Sequence, residues 1–497
     1  MRLAVPMRRT LPLLLLAACS SPSVNIVDGG ASGDIPDANA ATGCAERALP
    51  FAPLSTRCGN FVDGEGRSVV LFGVNARVEG VFDVDLGPGR VPLQVIPGFS
   101  LEDARRMRAA GFNVLRLPMQ WSGVEPTESG GFSTAYLDRV AAVVALCREA
   151  GLFVLLDLHQ DAFSKEIGED GAPLWAIVPP PERLLEGPLT DLTARRVSAQ
   201  VLRAFGTFFG DGAEGDRLRQ RFARMAAAVA SRFRDDRTVV GYEVFNEPVA
   251  SDPQVRRLNL LVAQAMRAAD PSHLIFFEPE VTSRNLFDRS PVPSSPFAVT
   301  GGVYAPHTYP LSFTGTEMQR MAFTRETLVP SVRSARDEAT AWGTPLAITE
   351  WGYDPAGTRA DRYYELMQDV QGAYGASAML WLWKERSQGS WGMHRWDETR
   401  GVWEERAEVF QWLARPRPVA IAGDLQSWSW DATTRVFTVR WDRRADVRAP
   451  HELWLPPPAS AWTLRCDGAT EISVEVTGRA RVRCATSATE LTATRAP

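Results

Sequence analysis

Long apolar runs are scarce in this 497-residue chain. The most conspicuous, Leu11–Ala18, is too short to cross a bilayer. Histidine and cysteine are scarce too, at 5 and 6 residues, and neither falls at zinc-ligand spacing. His159 and Asp161 invite a metal reading, but His273, His394 and His451 stand at no ligand spacing from them. No metal and no cofactor is therefore expected. No glycine-rich turn follows the first predicted strand, where Gly73-Val-Asn75 stands. An open, doubly wound nucleotide-binding sheet would need one there. No basic stripe gathers the scattered Arg and Lys of a chain with net charge −5, which excludes nucleic acid as a partner.

What is present is the composition of a soluble globular protein, 45% hydrophobic and 23% charged. The length suits one large domain and one small one. The N-terminus carries Arg2, Arg8 and Arg9 before the short apolar run, which is the form of an export signal. Leu16-Ala17-Ala18-Cys19-Ser20 resembles the lipobox of bacterial lipoproteins. The resemblance implies removal of residues 1–18 and lipidation of Cys19. Ser20 after the cysteine implies sorting to an outer membrane or the cell surface, and the acyl chains would anchor a soluble body. The bland alternative is an ordinary cleaved signal and a secreted protein. Residues 19–45, rich in Ser, Gly, Ala, Asp and Pro, read as a flexible tether. Export permits disulfides. Cys44 with Cys58, and Cys466 with Cys484, are the expected local pairs, and Cys147 reads as a buried thiol.

From about residue 60 the pattern alternates strand and helix. Strands are predicted at Val69–Val74, Val114–Leu117, Phe153–Leu158, Val240–Phe245, Leu274–Phe277, Gly302–Tyr304, Leu346–Thr349 and Ala378–Leu382. All are short and apolar, as strands buried on both faces are. Helices are predicted at Leu101–Ala110, Tyr136–Ala150, Asp216–Phe233, Val255–Ala269, Glu317–Trp342 and Asp361–Tyr374. Eight such units specify an α/β fold, a (β/α)8 TIM barrel over 46–415. Arg415-Pro-Arg-Pro418 reads as a stiff linker. Beyond it short alternating segments, among them Ser427–Asp431, Arg435–Trp441, Glu452–Leu455 and Ile472–Val476, predict an all-β sandwich over 418–497.

The stretch that organises the rest is Val240-Gly-Tyr-Glu-Val-Phe-Asn246-Glu247-Pro248. An apolar strand stops at an amide, a carboxylate and a proline that cannot extend a ladder. Leu346-Ala-Ile-Thr-Glu350-Trp-Gly352 is built alike. In a barrel these strand ends share one rim. Other strand ends supply Arg116, Asp157, His159, Asp161, His307, Tyr309, Trp381 and Trp383. Two carboxylates across a pocket are what glycoside hydrolysis needs, one protonated and one ionised. Arg116 and Tyr309 are placed to hold Glu350 ionised as nucleophile. Glu247, with no evident cation beside it, takes the acid/base role. Asn246 is placed for the sugar 2-hydroxyl, and Trp381 as a floor for the ring.

These residues resemble the retaining enzymes of glycoside hydrolase family 5: Asn246-Glu247-Pro248, Glu350, Arg116, His307-Thr-Tyr309 and Trp381 all fit that pattern. A closer resemblance is to the endoglycoceramidase group. It is carried by Gly111-Phe-Asn-Val-Leu-Arg-Leu, Leu155-Leu-Asp-Leu-His-Gln-Asp161, Gly171-Ala-Pro-Leu-Trp-Ala176, Tyr304-Ala-Pro-His307 and Trp381-Leu-Trp-Lys384. It implies cleavage between glycan and ceramide in a glycosphingolipid, with Asp157 and His159 on the first sugar and Trp175 lining its pocket. One departure is Arg77, where a lysine is expected in the group. Loops Val91–Phe99 and Trp175–Pro181 are apolar and are expected to form a lip for the lipid, beside a membrane. A monomer is expected. The alternatives are a glucanase, mannanase or β-glucosidase of the same family acting on a plain polysaccharide or oligosaccharide, and a non-catalytic glycan-binding lipoprotein.

Overall fold

The computed structural model describes residues 53–281, 284, 299–386 and 391–496. The signal segment, the whole tether, Cys19 and Cys44 lie outside the described residues.

Three short strands come first: β1 (Ser55–Arg57), β2 (Asn60–Val62) and β3 (Ser68–Val69). The barrel follows with β4 (Phe72–Asn75), β5 (Val114–Gln120), β6 (Phe153–His159), β7 (Val239–Glu243), β8 (Leu274–Phe277), β9 (Gly302–Tyr304), β10 (His307–Thr308), β11 (Ala347–Trp351) and β12 (Ser377–Leu380). They pair in parallel in the order β10-β11-β12-β4-β5-β6-β7-β8-β9. β9 and β10 are two pieces of the sixth position, interrupted at Pro306, which has no N–H to give a ladder. β9 pairs with β8, β10 pairs with β11, and Tyr304 bridges to Leu346, so the sheet closes. The eight predicted strand positions are all occupied.

Side-chain alternation sorts the residues of each strand. On β5, Val114 joins the cluster inside the barrel, while Leu115 and Leu117 join the larger cluster under the helices. Arg116 therefore points inward. On β6, Leu155 is inside, Val154 and Leu156 are outside, and Asp157 points inward. β7 breaks the rule with a purpose. Its pairing to β6 skips Val240, a bulge that puts Val240 inside and Tyr242 outside. The extra residue turns Glu243 into the barrel, where unbroken alternation would face it outward.

Most predicted helices are present within a few residues. The span Glu317–Trp342 is instead two helices, Glu317–Met321 and Arg325–Trp342. Each starts with its own capping box, at Thr316 with Gln319 and at Thr324 with Thr327. The second cap ends the first helix's run, although the apolar period continues through it.

The chain then forms β13 (His394–Asp397), β14 (Val402–Glu405), β15 (Arg417–Ile421), β16 (Asp424–Asp431), β17 (Val436–Asp442), β18 (His451–Trp454), β19 (Trp462–Arg465), β20 (Thr470–Val474), β21 (Arg479–Arg483) and β22 (Glu490–Arg495). Beyond the β13–β14 hairpin these make two antiparallel-paired sheets, β1-β2-β3-β15-β18-β21-β20 and β16-β17-β22-β19. Cys466 and Cys484 are disulfide-bonded. Cys58 is disulfide-bonded too, while its expected partner Cys44 lies outside the described residues. Cys147 is a buried free thiol.

Two expectations about boundaries are corrected. Residues 55–69, expected within the barrel, are edge strands of the larger sandwich sheet. Arg417 and Pro418, expected as linker, begin β15. The Arg417 guanidinium lies 3.6 Å from the Phe72 ring centre and 4.5 Å from that of Trp454, which joins barrel to sandwich. Gly111 closes the same junction. Its φ is +87°, and a Cβ there would lie 2.4 Å from the Trp454 ring. Barrel and sandwich accordingly fall in one compact unit.

Trp454→Ala is expected to cost about 3 kcal/mol, the usual loss for an emptied tryptophan site. Ending the chain at residue 414 should leave an insoluble barrel. An unchanged denaturation midpoint, or a soluble and active truncated barrel, would contradict this junction.

Candidate active site

Arg116 is fully buried and organises the barrel mouth. Its Nε donates to Glu243 Oε2 at 2.5 Å. Its Nη1 donates to Asn75 Oδ1 at 3.0 Å and to Glu350 Oε1 at 2.6 Å. Its Nη2 donates to Asn246 Oδ1 at 2.8 Å and lies 3.0 Å from Asp157 Oδ2. Burial alone would pull the guanidinium down, but Asp157, Glu243, Glu350 and Glu278 outweigh it and hold the group well above its ordinary value. Arg116 is therefore a permanent cation beside Glu350. The other oxygen of Glu350 accepts from the Tyr309 hydroxyl at 2.8 Å. Burial, then the charge of Glu350, push that phenol well above its usual range, so it stays a donor.

Glu247 follows β7 in a left-handed backbone conformation, φ +42°. A non-glycine residue holds that geometry only when its surroundings enforce it. The Gln160 side-chain amide enforces it here, donating to the carbonyls of Asn246 at 2.8 Å and Glu247 at 3.1 Å. The Glu247 N–H donates to Glu278 Oε2 at 3.1 Å. The Glu247 side chain is 22% exposed, against 7% for Glu350. Oxygens of the two carboxylates approach within 4.8 Å of each other.

His307 corrects the expectation that no cation flanks Glu247. Its Nδ1 lies 2.9 Å from Glu247 Oε1 and 3.5 Å from Glu350 Oε2. Its Nε2 lies 3.3 Å from Glu278 Oε1, an ion-pair distance without hydrogen-bond alignment. Burial opposes the charge, but Glu278, Glu350 and Glu247 raise the imidazole well above its ordinary value. His307 is then an imidazolium among three glutamates. Glu247, His307 and Glu350 sit close enough to share a metal, as do Glu243, Glu278 and His307.

His159 Nδ1 donates to Asp157 Oδ2 at 2.6 Å. Burial holds the ring down at about 3, so it is neutral and its Nε2 is an acceptor. Its ring stacks on Trp381 at 5.8 Å, and Arg77 covers the other ring contact of Trp381 at 5.1 Å. A cavity of about 580 Å³ at this end of the barrel is lined by His159, Asn246, Glu247, Tyr309, Glu350 and Trp381. Arg77 also lines it.

Four residues expected to bind substrate do not line the cavity: Arg116 and His307, which act on the glutamates from behind, and Asp157 and Trp175. Asp157 is fully buried behind His159 and does not line the cavity. It orients the imidazole and meets Arg116. Burial pushes it up to about 6. Trp175 is outside the cavity as well. Its N–H donates to the Glu125 carbonyl, and its ring packs edge-on against Trp121 and under Arg221. Glu243 and Glu278 are site carboxylates that sequence reasoning passed over. Glu278 directly follows β8, so the strand-end rule that located Glu350 finds it too. Glu243 was not findable, since its inward turn depends on the bulge.

Burial pushes Glu278 up to about 8, against the pull of His307. In the unfolded chain a glutamate titrates near 4.3. The folded state therefore holds more protons between these values. This contribution to stability is full below the unfolded value and is lost as pH rises through about 8. Glu278→Gln, which mimics the protonated acid, should flatten the fall of the melting temperature between pH 5 and pH 9. An unaltered pH dependence would contradict the protonated state.

Residues 100–387 match the model of the cellulase family, glycosyl hydrolase family 5. Residues 415–494 match the glycoside hydrolase family 5 C-terminal domain. An endoglycoceramidase of Cyanea nozakii is 26% identical over 392 residues, covering 71% of this chain and 75% of that protein. Endoglycoceramidase I of Rhodococcus hoagii is 29% identical over 283 residues, where the match spans 53% of this chain and 54% of that protein. The solved endo-glycoceramidase II from Rhodococcus sp. superposes with a TM-score of 0.72 at 25% identity, covering 88% of this chain and 99% of that one. With a closed barrel, paired strand-end glutamates and a family match over more than half its length, the chain belongs to glycoside hydrolase family 5 and is a glycoside hydrolase.

Proposed function

We propose that this enzyme cleaves the β-glycosidic bond between glycan and ceramide with retention of anomeric configuration. The observation that carries the reading is the pairing of Glu247 and Glu350 at one cavity, where His307 Nδ1 lies 2.9 Å from Glu247 Oε1 and 3.5 Å from Glu350 Oε2. Carboxylates bridged by one side-chain nitrogen suit the closer spacing of retaining enzymes, about 5–5.5 Å between carboxyl groups, rather than the roughly 6.5–9.5 Å of inverting ones. Glu350, fixed by hydrogen bonds from Arg116 and Tyr309, attacks the anomeric carbon. Glu247 gives its proton to the departing ceramide oxygen, which leaves with the bond's electron pair. The ester on Glu350 is then opened by water as Glu247 takes the water's proton. Glu247 suits the acid/base role because it is the more exposed carboxylate and can exchange protons with solvent. His307 and Glu278 are positioning residues that hold it. Asn246 keeps an amide N–H for the sugar 2-hydroxyl beyond the one given to the Gln160 carbonyl.

The cavity offers two chemistries that suit a glycolipid. His159, Arg77 and Trp381 form a polar wall with an aromatic face, suited to a sugar. Phe313 and Trp391 stack at 5.3 Å, also line it, and Phe313 is 56% exposed. Of the loops expected to form a lip, the first leaves Val91 and Val95 exposed, but away from the cavity wall. Leu93 and Ile177 of those loops are buried, and neither loop lines the cavity. The endoglycoceramidase relatives support ceramide as the aglycone. The proposal extends to cell placement: export, lipidation at Cys19 and a monomer held at the membrane or outer surface. Among the described residues no helix is long and apolar enough to span a membrane.

Glu247→Gln and Glu350→Gln should each lower turnover by about 10³-fold or more with the fold retained, given typical losses when a covalent-catalysis partner is removed. Near-normal release of ceramide by either variant would end the assignment. Phe313→Asp should lower activity on a glycosphingolipid roughly tenfold while sparing a soluble aryl β-glycoside. Equal loss on both would argue against a lipid contact. On a substrate panel, intact glycan and free ceramide are expected. Cleavage of a plain β-glucan instead would favour the polysaccharide reading.

A further inference from the structure

The sandwich carries a second cavity, of about 370 Å³, remote in sequence from the barrel rim. Its wall contains Arg443, Arg444, Arg448 and Arg483 and no carboxylate. This is unusual in a chain whose net charge is −5. Two of the four are fixed. Arg444 donates to the Gly66 carbonyl at 2.8 Å and to Asp446 at 2.6 Å. Arg483 donates to Glu471 at 2.9 Å and to the Arg448 carbonyl. The Arg444 side chain is only 6% exposed, and its Nε is buried with no acceptor. Arg443 and Arg448 are exposed, and among the described residues their guanidinium groups meet no acceptor.

The neutral part of the wall is a donor set as well. The Ala422 N–H donates to His451 Nδ1 at 3.2 Å. That ring carries its proton on Nε2, because burial lowers it to about 4 and the other nitrogen is occupied as an acceptor. His451 packs against Trp441 at 4.4 Å, and both line the cavity beside Thr486. Four arginines, a histidine with a free N–H and a threonine hydroxyl thus border one concave surface. Planar forks of this kind match the oxygens of phosphate, and a neutral sugar would leave the charges of Arg443 and Arg448 without a counter-ion.

We propose that this cavity is an oxyanion site that takes a phosphate group, free or as the head group of an anionic phospholipid. It is independent of the glycosidase site. The disulfide Cys466–Cys484 borders it through Cys484 and ties down its β21 side. Arg443 and Arg448 are the entry contacts, and Arg444 with Arg483 forms the fixed floor.

The test uses the full chain with Cys19→Ala, so that an acyl anchor contributes nothing to vesicle capture. Binding is read by tryptophan fluorescence with inorganic phosphate, and by flotation with phosphatidylglycerol or phosphatidylcholine vesicles. Phosphatidylglycerol capture without free-phosphate binding assigns the site to lipid. Binding of inorganic phosphate assigns it to the free anion. In either case Arg443→Ala/Arg448→Ala should weaken binding about tenfold or more, the scale of lost charge-assisted hydrogen bonds. Added salt should weaken it too. The paired variant should keep full hydrolysis of a soluble aryl glycoside, which shows that the fold survives. No binding of either phosphate source, equal capture by phosphatidylcholine, or binding undiminished in the variant would overturn the proposal.

Discussion

Six residues from five barrel strands meet the side chain of Arg116: Asn75, Asp157, Glu243, Asn246, Glu278 and Glu350. A fully buried guanidinium is costly unless its N–H groups are matched, and buried carboxylates are costly without a cation. Each side of this cluster makes the other tolerable. The same geometry that satisfies Arg116 fixes where Asn246 and Glu350 stand. It leaves an excess of negative charge, which is met partly by His307 and eased by burial, which pushes Glu278, Glu243 and Asp157 upward. The mouth of the barrel thus gathers carboxyl groups of raised proton affinity around two reacting carboxylates. A retaining mechanism uses such an arrangement, since one glutamate must pass a proton while the other stays charged.

The environments of Glu247 and Glu350 differ in a way that pairwise reasoning did not anticipate. Glu350 has two fixed donors. Glu247 has a histidine that also leans on Glu350 and Glu278. Formation of the glycosyl ester removes the charge of Glu350, and His307 then faces one carboxylate fewer. Its hold on Glu247 should tighten at the moment when Glu247 must act as a base. The strained backbone of Glu247, braced by Gln160, keeps its side chain on the cavity side through both steps.

Much of this was legible in the chain. Short apolar strands with polar ends located the barrel and put Arg116, Glu247, His307, Tyr309, Glu350 and Trp381 on one rim. Period-2 alternation assigns Arg116 to the interior once Val114 is seen as core. What was not legible depends on events that carry no local signal. The bulge at Val240 reverses Glu243, and no residue type announces it. Trp175 was placed in the pocket by resemblance, yet Trp121 and Arg221, far apart in sequence, hold it elsewhere. Residues 55–69 read as barrel because they precede the first barrel strand. Their partners in β15 lie some 350 residues later, and only closure of the sandwich sheet brings them together.

Retention requires a covalent bond between sugar and Glu350. A 2-deoxy-2-fluoro glycoside with a good leaving group slows the second step and lets that ester accumulate. Digestion and mass spectrometry of the trapped enzyme should place one sugar on the peptide containing Glu350. A label on Glu247, or release of inverted product with no adduct, would contradict the account.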